Sequence, residues 1–215
     1  MAQEVTGDML KQAFSDFQAY RRAGKIVIDY SFLSSIVMHF TVKNSPKKHE
    51  IQEYYLQNLV APLNRWMPVY GINTAIRAAH FLAQACCETF QFSEITENPR
   101  NGGKEYDGRR DLGNTQPGDG PRYIGRGLLH LTGRENYRVM GNKIGINIVD
   151  DPNSVSNDLD IAVRTACEYW RNRGINEIAD RDDFDYVTKR INTACKGKEE
   201  RYAALTRIKK KLGIV

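Results

Sequence analysis

The chain has 215 residues, of which 41% are hydrophobic and 27% charged, as in one ordinary globular domain or one domain with a small appendage. This composition excludes a disordered chain. The most apolar stretch, residues 25–42, is interrupted by charged and hydroxyl side chains before it reaches the ~18 apolar residues of a transmembrane helix. The formal net charge of +5 favours an anionic partner such as nucleic acid, acidic lipid or bacterial cell wall, but no sequence signature of a nucleic-acid-binding motif is present.

The first 45 residues are predicted to form an N-terminal extension of unknown role. Residues 8–22 have the apolar spacing of a helix, and residues 25–42 are rich in β-branched and aromatic side chains, which favours a small β element. The polar stretch 43–49 contains Pro46 and is interpreted as a linker. We therefore place a boundary near residue 45, between an extension (1–45) and the main domain (46–215).

The main domain is predicted to be mainly α, a helical bundle with one long central loop. The loop, residues 97–127, is dense in Gly, Pro, Asn and Asp, and a compact domain rarely carries ~30 loop residues without a functional reason. The pattern at 73–89 begins at Asn73, which is interpreted as its N-cap. Helical spacing of apolar residues is found at 50–67, 73–89, 132–145, 156–174, 182–194 and 199–213.

Two glutamates flank the start of this loop. Glu88 ends a run of small and apolar residues that would disfavour its ionised form, whereas Glu97 lies in a polar context. Such a pair is the minimum equipment for glycoside hydrolysis, in which one carboxylic acid protonates the leaving oxygen and the other carboxylate activates water. On one unbroken helix the two would lie on opposite faces, so the chain must leave the helix between them. From spacing alone, a structural role for Glu88 and a base role for Asp107 both remain open.

Four longer motifs follow one another along the chain: AHFLAQACCETFQF (79–92), YDGRRDLGN (106–114), GDGPRYIGRGLLHLTGRENY (118–137) and RINTACKG (190–197). Together they resemble the family 19 glycoside hydrolases, in particular the phage-type endolysins and their bacterial relatives, which share this branch with plant-type chitinases. The resemblance extends from about residue 50 to the C-terminus. It implies a lysozyme-like helical fold and an inverting hydrolase that needs no metal or organic cofactor.

The resemblance also implies a role for individual residues. Glu88 occupies the position of the general acid, Glu97 that of the second catalytic glutamate, and Thr132 that of the hydroxyl that positions the attacking water. Plant-type members place the base farther along the loop, which keeps Asp107 as an alternative. Positions that contact the sugar or form the cleft wall in the family are occupied by Tyr123, Arg126, His130, Asn136 and Asn192. For Tyr123 and Arg126, a purely structural role in holding the loop against the core is equally compatible with the sequence.

Three positions depart from the family pattern. Cys87 replaces the histidine that usually precedes the acid, and His130 replaces a glutamine at a sugar-contacting position. Thr193 and Ala194 stand where the family has two glycines. Because both residues carry a Cβ atom, fewer backbone conformations are open to the chain near Asn192 than in the family. None of these changes removes a catalytic carboxylate, so an active enzyme is expected.

The expected substrate is bacterial peptidoglycan, because the chain is basic, its central loop is short compared with plant-type chitinases, and the resemblance is nearest to endolysins. Chitin hydrolysis is the alternative, and a non-catalytic glycan-binding protein on the same scaffold is a further one. We expect a monomer without a nucleic-acid partner or membrane insertion.

The N-terminus lacks a basic region followed by an apolar one, so no signal peptide is expected. This favours a bacteriolytic enzyme that is made in the cytoplasm and acts on the cell wall. It would be released through a phage holin, or injected by a secretion system and neutralised in its producer by an immunity protein. The pairing state of Cys167 and Cys195 is left open.

Overall fold

A computed structural model describes residues 26–214 of the protein. The helix predicted at 8–22 lies outside the described residues. Within them the chain forms α1 (Tyr30–Ile36), α2 (Pro46–Asn58), α3 (Val60–Val69), α4 (Ala75–Glu88), α5 (Asp119–Arg122), α6 (Arg134–Ile144), α7 (Ser154–Asn157), α8 (Leu159–Asn172), α9 (Ile175–Asp180), α10 (Phe184–Ile191) and α11 (Lys198–Leu212). The mainly α prediction is confirmed.

The strand prediction for residues 25–42 is wrong, because Tyr30–Ile36 is a helix that Asp29 caps by accepting a hydrogen bond from the backbone N–H of Phe32. Over the described range, β pairing is confined to two isolated bridges, Thr96 with Arg126 and Arg126 with Leu131. The N-cap and the burial of Leu33 and Ile36 on one face of the short helix together outweigh the β propensity of the segment.

Residues 26–45 share the core of the bundle. Ile28, Leu33 and Ile36 are buried in the same hydrophobic cluster as α4. The Asn64 side chain on α3 pairs with both backbone groups of Ile28, at 2.9 Å and 2.5 Å. The described part of the predicted extension therefore docks on the bundle, and its division from the main domain near residue 45 stays a prediction.

Residues 46–49 of the predicted linker (43–49) form the first turn of α2. Ser45 precedes the helix and Pro46 occupies its first turn, where the missing N–H of proline has no intrahelical partner to lose. The predicted helix at 50–67 is two consecutive helices, α2 and α3. The start of α4 is capped by Thr74, whose hydroxyl accepts from the N–H of Arg77 at 3.3 Å, and not by Asn73.

The central helix α4 is buried along Ala78–Cys86 and packs against α11. Phe81 meets Trp170 of α8 edge to face, with ring centroids 5.4 Å apart. A second, smaller cluster lies under the central loop and contains Tyr123, Tyr137, Met140, Ile144, Ile148 and Val155. No helix among residues 26–214 is both long and apolar enough to cross a membrane.

The loop at 97–127 is held in place by polar contacts of its own. It contains two short 3-10 turns, Lys104–Tyr106 and Arg110–Leu112, followed by α5. The fully buried Asn114 side chain donates to the carbonyl of Tyr106 at 2.9 Å and accepts from the N–H of Arg134, at the start of α6, at 2.8 Å. The loop is thereby positioned against the helix that follows it.

Candidate active site

Glu88 is the last residue of α4, and its side chain is 16% exposed. One carboxylate oxygen accepts a hydrogen bond from the guanidinium of Arg201 on α11. The other oxygen lies 3.9 Å from Nδ1 of His130. Glu88 is therefore paired with a cation, although its sequence context indicates only apolar neighbours.

Arg201 is a site residue that the sequence interpretation missed. It is 2% exposed and also donates to the Gln84 side chain at 2.6 Å and to the carbonyl of Lys196 at 3.1 Å. Its signal is its spacing, because Arg201 shares one helical face with the buried Ala204, Leu205 and Ile208. An arginine within an apolar stripe needs a buried partner, which here is the carboxylate of Glu88.

The chain leaves α4 through a left-handed turn. Phe90, Gln91 and Phe92 have φ angles of 47°, 65° and 57°, a region that costs about 1–2 kcal/mol for each non-glycine residue. The hydroxyl of Thr89 supports the turn by accepting from the N–H of Phe92 at 3.1 Å and donating to the carbonyl of Ala85 at 2.7 Å. This turn is the break between Glu88 and Glu97 that the sequence requires.

Glu97 is held by neutral donors. Its carboxylate accepts from the N–H of Gly125 and from the hydroxyl of Tyr106 at 3.1 Å, and its own N–H donates to the carbonyl of Gly125 at 2.9 Å. Burial and the neighbouring charge of Glu97 raise the pKa of Tyr106 to about 12, so this phenol stays a donor at neutral pH. The two glutamates thus have different partners, one a guanidinium and the other an N–H and a phenol.

Gly125 lets the backbone approach Glu97 more closely than a residue with a side chain would allow. A Cβ atom there would lie 3.0 Å from Cδ of Glu97, from Cβ of His130 and from Oγ1 of Thr132. The Thr132 hydroxyl donates to the carbonyl of His130 at 2.9 Å, which leaves its lone pairs free to accept from a water molecule. The carboxylate of Glu97 and the hydroxyl of Thr132 therefore lie close together around one point.

A cleft of about 520 Å³ brings most of the predicted site residues together. It opens between the two hydrophobic clusters, with Leu129 and Ile191 on one side and Leu131 and Met140 on the other. The predicted residues that line it are Glu88, Glu97, His130, Thr132, Asn136 and Asn192.

Two cleft residues are oriented by their neighbours. The Asn136 side chain donates to the carbonyl of Thr132 at 2.7 Å. The Asn192 side chain accepts from the N–H of Ala194 at 3.1 Å, within the segment that lacks the family glycines. Both amides keep further groups for a ligand in the cleft.

Three predicted residues are not among those that line this cleft. Tyr123 is 2% exposed and donates to the carbonyl of Val149 at 3.1 Å. Arg126 is 6% exposed and donates to the hydroxyl of Tyr137 and to two backbone carbonyls. Asp107, the alternative base, accepts from the N–H of Gly120 at 2.7 Å. The contacts of Tyr123 and Arg126 are therefore those of the structural alternative, in which both residues hold the loop against the core. Asp107 stabilises the loop through its bond to Gly120.

The cysteines are free thiols, including Cys167 and Cys195. Cys87, at the position of the family histidine, lies beside Gly197, where an added Cβ atom would be 3.0 Å from its sulfur. Burial raises the pKa of the Cys87 thiol, against the lowering effect of Arg201. A neutral, packed thiol therefore takes the place of a histidine next to Glu88.

The sequence matches the family model described as Chitinase class I over residues 68–199, which is more than half of the chain. The chain belongs to glycoside hydrolase family 19. The matched range includes both glutamates of the cleft but ends before Arg201.

Relatives of this family 19 chain match it over part of their length. A glycosyl hydrolase family 19 domain-containing protein of Haemophilus influenzae is 38% identical over 96 residues, which cover 45% of this chain and 46% of that protein. Acidic endochitinase Q of Nicotiana tabacum is 34% identical over 102 residues, covering 46% and 37%. The chain thus spans less than half the length of these relatives.

Two solved structures share the fold of this family 19 chain. Chitinase C of Streptomyces griseus superimposes with a TM-score of 0.62 at 21% identity and covers 87% of this chain and 77% of its own. A class IV chitinase of Zea mays gives 0.63 at 23% identity and covers 88% and 94%. Both belong to the mainly α architecture that the sequence predicts.

Proposed function

We propose that this family 19 chain is an inverting glycoside hydrolase that cleaves the β-1,4 bond between N-acetylmuramic acid and N-acetylglucosamine in peptidoglycan. The observation that carries the proposal is that Glu88, Glu97 and Thr132 line one cleft. Two carboxylates with a positioned water are the requirement for inversion.

In the proposed mechanism Glu88 protonates the glycosidic oxygen. Because Arg201 engages one oxygen of Glu88, the other oxygen, on the side of His130, is the one available to the leaving group. A proton delivered at this point lets the bond break without a high-energy alkoxide leaving group. Arg201 then stabilises the carboxylate that remains after the transfer.

Glu97 acts as the general base on a water held by Thr132. This assignment is supported by the position of Glu97 and Thr132, which both pack against Gly125 and line the cleft. Inverting enzymes keep their carboxyl groups about 6.5–9.5 Å apart so that a water fits between base and sugar, and we expect a separation in this range when substrate is bound.

Peptidoglycan is favoured over chitin by charge, since the chain carries a net charge of +5 and the wall polymer is anionic. Chitin hydrolysis is the second candidate. It is favoured by the similarity of the chain to a plant endochitinase and to a bacterial chitinase.

The test is the digestion of purified peptidoglycan and of colloidal chitin by wild type, Glu88→Gln and Glu97→Gln, with the products identified by mass spectrometry. Glu94→Gln is the matched control, because Glu94 pairs with Lys48 at 2.8 Å and does not line the cleft. We expect muropeptides with a reducing N-acetylmuramic acid end from wild type and the control, and at least a ~100-fold loss in both cleft variants.

Other outcomes assign the function differently. Products from chitin alone would make chitin the substrate, and equal wall lysis by wild type and Glu88→Gln would support the non-catalytic alternative. Asp107→Asn is expected to keep activity. Its loss of activity, together with an active Glu97→Gln, would move the base to Asp107.

We further propose that the enzyme acts on the cell wall as a released endolysin or an injected effector. This proposal rests on the endolysin-like motifs and the basic charge. Lysis of cells when the chain is co-expressed with a holin, and its absence when the chain is expressed alone, would support the endolysin role.

A further inference from the structure

The cleft carries two cations that the proposed mechanism does not use. Lys143 lies in the last turn of α6 and Arg173 directly follows α8, and both line the cleft that contains Glu88 and Glu97. The two helix ends are joined by a hydrogen bond of 2.6 Å from Nζ of Lys143 to the side-chain oxygen of Asn172. The cations are therefore neighbours on one wall of the cleft.

Both side chains are held in place by neutral groups. The guanidinium of Arg173 stacks over the ring of Tyr169 at 4.4 Å and donates to the carbonyl of Arg190 at 3.3 Å. Stacking on an aromatic ring leaves the edge of a guanidinium free to donate to a planar acceptor such as a carboxylate. Lys143 presents the remaining donors of its ammonium group.

Neither cation has a carboxylate partner among residues 26–214. Two other arginines of the same helices do have one, since Arg138 pairs with Glu135 and Arg171 with Glu168. The carboxylates that line the cleft are, in the described part of the chain, Glu88 and Glu97, and both have other partners. The positive charge of this wall is therefore not neutralised within the site.

We propose that Lys143 and Arg173 form a subsite for a carboxylate of the peptide that peptidoglycan carries on its muramic acid units. Chitin is neutral and offers no group for these cations. Peptidoglycan brings free carboxylates beside every second sugar, and an arginine fork with a neighbouring ammonium matches such a group. The subsite thus determines substrate preference, and it rests on the proposed hydrolysis in this cleft.

The decisive experiment compares Lys143→Gln/Arg173→Gln with wild type on two soluble substrates of equal sugar number, a peptide-bearing glycan oligomer and a chitin oligosaccharide. The matched control, Lys210→Gln/Lys211→Gln, removes the same charge from exposed positions of α11 outside the cleft. We expect KM for the peptide-bearing oligomer to rise about tenfold in the cleft variant, with kcat and the chitin values within about twofold of wild type.

Binding to the Glu88→Gln protein, measured by calorimetry, tests the same subsite without hydrolysis. The peptide-bearing oligomer should bind this protein more tightly than the chitin oligosaccharide, and adding the two cleft substitutions should remove the difference. If wild type cleaves neither substrate but the peptide-bearing oligomer still binds more tightly, the proposed hydrolysis is wrong, whereas the carboxylate subsite is supported.

Three results would overturn the subsite. One is an equal change of KM on both substrates, which would indicate a structural effect of the substitutions. Another is an equal effect of the Lys210→Gln/Lys211→Gln control, which would assign the effect to overall charge. The third is cleavage and binding of the peptide-bearing oligomer that the cleft substitutions leave unchanged.

Discussion

Replacing Gln52 by methionine should loosen the left-handed turn that follows Glu88. Gln52 lies on α2 and is fully buried. Its side-chain oxygen accepts from the N–H of Phe40 at 3.1 Å, and its nitrogen donates to the carbonyls of Met38 at 3.0 Å and Gln91 at 2.7 Å. One amide therefore ties the segment before α2 to the turn.

The magnitude follows from the groups that lose a partner. Methionine has nearly the volume of glutamine, so the cavity contribution is small and the unpaired backbone groups dominate. Met38 is 57% exposed, and water can replace the amide there, whereas Gln91 is 6% exposed. The groups left unpaired are the Gln91 carbonyl and the N–H of the half-buried Phe40. At about 1–3 kcal/mol for each of them, we expect the free energy of unfolding to fall by about 2–6 kcal/mol.

The assay is urea unfolding followed by circular dichroism, combined with kcat and KM at a temperature where the variant is folded. We expect kcat to fall and KM to change little, because the turn sets the position of Glu97 relative to Glu88. Gln57→Met is the control, since Gln57 is exposed on the same helix. A Gln52→Met protein within about 0.5 kcal/mol of wild type and with full kcat would refute the reasoning.

Three further predictions concern the site and its surroundings. Gly125→Ala should lower kcat at least tenfold and destabilise the fold by about 1–3 kcal/mol, because the added methyl group crowds Glu97; unchanged steady-state kinetics would contradict this. Arg201→Met should lower the free energy of unfolding by about 3 kcal/mol, because it leaves the carboxylate of Glu88 without its buried partner. Arg201→Lys should recover part of this loss, and thermal unfolding of both variants measures it. Burial lowers the pKa of His80, so the unfolded chain binds a proton near pH 6.5 before the folded protein does, and stability should fall as the pH drops from 7.5 to 5.5. His80→Gln should flatten this dependence in urea unfolding, and an equally steep loss in the variant would assign it to other groups.

The local elements of this protein were largely predictable from its sequence. The helices α4, α6, α8 and α10 lie within the predicted ranges, and α11 begins one residue before its predicted range, because apolar spacing is a local signal. Glycines after α6, α8 and α11 add a second local signal. The short helix α9 was missed, since six residues after Gly174 carry too little periodicity. At α1 the β-branched residues favoured a strand, and a cap together with burial of one face decided for a helix.

The sequence by itself determined the family, the mainly α class, and the two glutamates with their required break in the helix. Each of these depends on residue type and spacing along the chain. Only the tertiary structure decided that Arg201 pairs with Glu88, that Tyr123 and Arg126 support the loop, and that Lys143 and Arg173 share one wall. The reason is physical, because a side chain's partner is selected by how distant helices pack, and spacing along one helix does not contain that information.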